Sequence, residues 1–204
     1  MARITAGSPK LRIVPANQAS WDDVLAIVGR ARCFDALCFC QRFKILKGWH
    51  AVGEEERAHR LRSQADCGYP DSDTTCGLVG YLDDEPVAWC AVEPRTAYVR
   101  LTRQVTWAGR NEDKTDHGVW AITCVLTSAP YRWQGFTYQM IAAAVEFARE
   151  RGAHAVEGYG MHTEPGKVIT WGELFVGSRN AFAAAGLREV SRPTKRRVVM
   201  RIDL

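Results

Sequence analysis

Val119 to Gly152 reads VWAITCVLTSAPYRWQGFTYQMIAAAVEFARERG, and its character changes twice along its length. Val119 to Leu126 is an almost uncharged run rich in β-branched and aromatic residues, of a length that suits a buried strand rather than a helix. Tyr138 to Arg151 then takes up helical spacing, with Ile141, Val145 and Ala148 on one face and Met140, Ala144 and Phe147 beside them. Gly152 stands where a helix C-terminal cap is expected. Between strand and helix, Thr127 to Thr137 brings Arg132-Trp133-Gln134-Gly135-Phe136-Thr137 to the helix opening. Unpaired backbone N–H groups and the positive end of the helix dipole converge there, so the loop is a candidate anion site.

Outward from this unit, His154 to Gly160 reads as a further strand, and Met161 to Gly177 as a long link containing Pro165, Gly166 and Trp171. Two closing strands, Leu187 to Val190 and Arg197 to Ile202, complete the C-terminal part. On the other side, Thr75 to Leu82 and Pro86 to Glu93 form a hairpin about Asp83-Asp84-Glu85. Pro94 to Asp116 is polar and irregular. Lys10 to Pro15 is a first strand, Ser20 caps a helix over Trp21 to Arg32, and Glu54 to Asp66 is a charged, solvated helix. Cys33 to Trp49 is aromatic and thiol-rich; its Phe34, Leu37, Phe39 and Phe43 either pack into the core or line a pocket wall.

A strand leading into Arg132-x-x-Gly135-x-Thr137 and then an amphipathic helix resembles the acetyl-coenzyme-A-binding motif of the GNAT superfamily of N-acetyltransferases. Thr137 stands where that family has Gly or Ala. The run Asn180-Ala-Phe-Ala-Ala-Ala-Gly-Leu187 is similar to its final helix and closing Gly. The resemblance implies one GNAT-like domain over residues 1–204, an α/β fold. Its central sheet would be mixed and mostly antiparallel, with splayed fourth and fifth strands and helices on both faces. It implies acetyl-CoA as co-substrate, held by backbone groups of Val125, Leu126 and Thr127 in the splay. Arg132, Trp133, Gln134, Gly135, Phe136, Thr137 and Tyr138 would cradle the pyrophosphate. The implied activity is transfer of an acetyl group to a primary amine on a small molecule or peptide; the alternative is an acyl-CoA-binding protein of the same fold with weak or no turnover.

Composition narrows the remaining choices. With 47% hydrophobic and 10% aromatic residues the chain can bury a sizeable core. A net charge of +4 from 27 basic and 23 acidic residues is too mild for a dedicated nucleic-acid binder and suits a small anionic ligand. No run approaches a membrane span, and MARITAGSPK lacks a signal-peptide core, so a cytoplasmic protein is expected, with a homodimer compatible with the sequence. The seven cysteines are an odd number, so free thiols are expected. Cys33, Cys38 and Cys40 with His50 do not follow zinc-site spacing, and no metal is expected.

The reaction needs a base for the amine and an acid for the departing thiolate. The resemblance puts the acid, a tyrosine in the family, at Phe182, which has no proton to give. Glu157 and Tyr159 offer a replacement: two apart on a strand, they share a face. Burial would raise the Glu157 carboxyl towards neutrality, as a base requires. The structural alternative is that Glu157 pairs with an arginine while Tyr159 packs.

Overall fold

The computed structural model describes residues 9–33, 36–163, 166 and 168–204; Phe34 and Pro165 lie outside them. Its strands are β1 (Arg12–Pro15), β2 (Arg32–Cys33), β3 (Ala36–Leu37), β4 (Gly77–Leu82), β5 (Glu85–Pro94), β6 (Val119–Thr127), β7 (Ala155–Gly158), β8 (Arg188–Ser191) and β9 (Val199–Asp203). Its helices are α1 (Trp21–Val28), α2 (Glu54–Ala65), α3 (Phe136–Glu150), α4 (Trp171–Leu174) and α5 (Arg179–Ala184).

Seven strands form one sheet in the order β1-β4-β5-β6-β7-β9-β8, and β2 and β3 form a separate small hairpin. Only β6 and β7 run parallel; every other neighbouring pair is antiparallel. β6 and β7 are therefore the fourth and fifth strands in chain order within the large sheet. Their ladder covers Val119↔Ala155 to Ile122↔Gly158 and stops, although β6 continues to Thr127. The splay has a local cause. On its other side β6 pairs Ile122 with Val92 and Cys124 with Ala91, leaving Thr123 as an extra residue. Such a bulge bends its strand, here where the parallel ladder ends.

Both faces of the sheet are covered, which is why β6 reads as a nearly unbroken apolar run. On one face α3 and α5 bring Met140, Ile141, Ala144 and Phe182 onto Ile122, Val125 and Val156. On the other, α1 and α2 bring Val24, Ile27, Val28 and Leu61 towards Val79, Trp89 and Cys124. Local signals explain the ends of these elements. Ser20 accepts from the Asp23 N–H while Asp23 accepts from the Ser20 N–H, a reciprocal cap. Gly152, at φ +78°, closes α3 with bonds from its own N–H to Arg149 O and from Ala153 N–H to Ala148 O.

Some boundaries moved. α1 stops at Val28 because Arg32–Cys33 is drawn into pairing with Ala36–Leu37. β7 ends at Gly158, two residues short of the expected strand, because residues beyond it find a different partner, described below. The β4–β5 turn is Asp83-Asp84, both left-handed at φ +49° and +67°, as a two-residue hairpin requires.

Candidate functional site

The loop before α3 presents backbone rather than side chains. Among the described residues, none of the N–H groups from Trp133 to Thr137 has a backbone partner. Gly135, at φ +81°, is the residue that starts the helix, and Trp133 is left-handed at φ +68°. That conformation costs a non-glycine residue about 1–2 kcal/mol. The Trp133 side chain is 88% exposed, so core packing does not impose it; the loop does. Five donors and the dipole of a fifteen-residue helix meet there. Arg132 reaches back towards Thr127 O at 3.5 Å, and burial lowers its pKa from the ordinary arginine value. Phe136 is buried, while Gln134, Thr137 and Tyr138 are half-buried. Thr127 Oγ1 is buried with no hydrogen-bond partner among the described residues.

Around Ala121 the sheet carries a row of ionisable groups. Antiparallel pairing sets Glu93 beside Ala121 on β5, and parallel pairing sets Glu157 beside it on β7; Arg201 follows on β9. Residues paired directly across strands share a face. Glu157 is fully buried. Arg95 Nη1 lies 3.2 Å from its Oε1, Arg201 Nη1 3.2 Å, and Arg110 donates to both carboxylate oxygens. Tyr159 Oη donates to Oε2 at 2.7 Å. Arg95 and Arg110 both lie over the Trp107 ring, at 4.8 and 4.4 Å, so the loop from Pro94 to Asp116 is held down on this carboxylate.

These contacts correct one expectation. Burial alone raises a carboxyl pKa, and it is the largest single influence on Glu157. The Arg110 hydrogen bonds, the Tyr159 hydroxyl and the charges of Arg110 and Arg95 together outweigh it, and the carboxyl sits below its ordinary range. Tyr159 moves the other way, well up, through burial and the neighbouring carboxylate. Glu157 and Tyr159 do share a face, but as a closed ion-pair hub.

Glu93 differs. Burial raises its pKa; the Lys44 ammonium, through its charge and a hydrogen bond, and the Tyr98 hydroxyl oppose this without cancelling it. Lys44 Nζ pairs with Glu93 Oε2 and also donates to Gln64 Oε1 at 3.0 Å. The Tyr98 hydroxyl is buried close to Glu93 and Thr123. Thr123 lies two residues along β6 from Ala121, towards the splay. A desolvated carboxylate with one cationic partner takes up a proton more readily than a free one.

A family model described as acetyltransferase (GNAT) family matches residues 40–163, more than half of the chain. The chain belongs to the GNAT acetyltransferase family. Solved structures agree on the GNAT fold. A ribosomal-protein-alanine N-acetyltransferase from Brucella melitensis is 17% identical with a TM-score of 0.53, covering 95% of this chain and 100% of that one. A putative acetyltransferase from Salmonella typhimurium with its cofactor acetyl-CoA is 12% identical with a TM-score of 0.54, covering 95% and 94%. A search of curated proteins returns no match.

Arg132 and Gly135 stand at the start of α3. Sequence reasoning missed Glu93 as a site residue. Its signal was available, a single acidic residue ending the apolar run VAWCAV, but only the sheet register shows that it faces the same way as Ala121 and Glu157. Phe182 is fully buried against Gly158, Gly160 and Gly177, in a slot that has glycine on three sides. Cys38, Cys40 and Cys124 are buried, and the Cys40 sulfur accepts from the Trp89 indole N–H at 3.2 Å. Among the described residues, no helix is long and apolar enough to cross a membrane.

Proposed function

We propose that this GNAT protein transfers an acetyl group from acetyl-CoA to the primary amine of an acceptor. The observation that carries the reading is the run of five unpartnered N–H groups, Trp133 to Thr137, at the start of α3. A pyrophosphate needs several converging donors and tolerates no opposing carboxylate. The buried, partnerless Thr127 Oγ1 at the end of β6 supplies a further polar group on the path into the splay. Acetyl-CoA supplies an activated thioester, whose C–S bond breaks as the amine nitrogen bonds to the carbonyl carbon. In this reading Glu93 takes the proton from the acceptor ammonium, and Thr123 and Tyr98 extend its reach along β6. Glu157 and Tyr159 hold the floor of the site and anchor the loop from Pro94 to Asp116. Phe182 offers no proton to the thiolate, which leaves and is protonated from solvent.

One observation favours the alternative, an acyl-CoA-binding protein without turnover: Phe182 fills its slot and offers no acid. Mixing the protein with acetyl-CoA and a panel of amines while following thiol release separates the two readings. Gly135→Asp tests the shared part, because it puts a side chain at φ +81° and a negative charge against the pyrophosphate. We expect wild type to bind coenzyme A by calorimetry and the variant to lose binding while its circular dichroism stays native. Equal affinity in both would place the anion elsewhere.

A further inference from the structure

Three hydrogen bonds put a segment of the chain itself into the splay. Val125 N–H, on the β6 edge beyond the last β7 pairing, donates to Phe175 O at 2.6 Å. Past β7, Met161 N–H donates to Gly177 O at 2.9 Å, and Arg179 N–H donates to Met161 O at 2.8 Å. The first bond ties the segment to β6 and the other two tie it to the continuation of β7, with a parallel bridge at Met161↔Ser178. The backbone from Phe175 to Arg179 therefore bridges the gap as an added strand does.

The segment is anchored at two points. Thr170 and Glu173 cap α4 reciprocally, and Glu173 pairs with Arg196 at 2.9 Å. Phe175, 4% exposed, stacks on Phe43 with centroids 6.4 Å apart and lies under the Arg42 guanidinium at 4.8 Å. Gly177, at φ +86°, lets the chain turn over the Phe182 ring, which a Cβ there would approach to 3.0 Å.

We propose that the segment Thr170 to Arg179 is a built-in occupant of the cofactor gap, which coenzyme A displaces from Val125 when it binds. The proposal rests on the cofactor reading above. An extended ligand added to a strand edge needs the edge N–H groups, and the Val125 N–H is already committed to Phe175 O. Binding and release of the segment are then one event. Apparent affinity is the intrinsic affinity reduced by the fraction of molecules with the segment already out. Weakening the anchors raises that fraction, so it tightens binding, the opposite of what damage to a binding site does.

Hydrogen exchange of the full chain with and without coenzyme A tests this. We expect amides of residues 133–137 to slow and those of residues 170–179 to exchange about tenfold faster. Arg196→Ala, which removes a partly exposed ion pair, is expected to tighten coenzyme A binding a few-fold, and Phe175→Ala to tighten it more if the variant folds. Slowing at residues 133–137 with residues 170–179 unchanged or slower overturns the displacement and leaves the cofactor reading standing. No change in either stretch removes both. Weaker binding in Arg196→Ala also overturns the displacement.

Discussion

Glu93 and Glu157 stand on one row of the sheet, on either side of Ala121, and both are largely removed from water, yet their surroundings drive them in opposite directions. Glu157 meets three guanidiniums and a tyrosine hydroxyl; Glu93 meets one ammonium, shared with Gln64, and a tyrosine hydroxyl. Desolvation of a carboxylate costs several kcal/mol, and it takes multiple aligned donors to offset that. The number of cationic partners, not burial, therefore divides the carboxyl whose pKa is lowered from the one whose pKa is raised.

The comparison breaks first at Glu157. Glu157→Gln leaves three arginines, Arg95 among them fully buried, without their common partner and should cost about 3–5 kcal/mol, read from urea unfolding. A depressed folded pKa contributes stability that is present above the unfolded value, 4.5, and is lost as pH falls through the folded pKa. Wild-type stability should therefore decline as pH drops below about 4.5, and this decline should be shallower in Glu157→Gln. Unchanged stability together with lost turnover would make Glu157 the base after all.

Glu93 sharpens the other half. Once an acceptor is known, Glu93→Gln should lower kcat about 10²-fold, the low end of general-base assistance, without weakening coenzyme A binding. Its partner gives a signed control. The Lys44 charge lowers the Glu93 pKa, so Lys44→Met should move the acidic limb of the kcat profile to higher pH. A limb that stays in place would assign it to another group.

The smallest effect belongs to Phe182. A hydroxyl added by Phe182→Tyr would enter the slot between Gly158 and Gly177, where the ring tip already sits. Left unsatisfied there, it should cost about 1–3 kcal/mol, measured as a lower Tm, with no gain in turnover. A faster enzyme would show instead that the slot opens onto the leaving thiolate.

Much of the molecule was readable from local pattern because the causes are local. The apolar run of β6, the periodicity of α3, the cap at Ser20 and the Gly152 terminus each depend on residues a few positions apart. The anion loop was legible for the same reason, since a strand running into Gly135 and a helix start fixes where the N–H groups go. The expectation of a raised Glu157 pKa rested on burial alone. Its arginines are distant in sequence, with Arg95 62 residues away, Arg110 47 and Arg201 44, and no local pattern announces that they converge.

The sequence by itself thus determined most of the elements, the family and the loop of unpaired N–H groups before α3, because these follow from short-range geometry and turn chemistry. Only the tertiary structure decided which carboxyl has its pKa lowered and which raised, because that depends on sheet register and on the partners distant segments bring. It also decided what lies in the splay. The bulge at Thr123 joins residues 30 to 33 apart and the return of Phe175 to Val125 residues 50 apart, and pairing at that range leaves no periodic trace in the sequence.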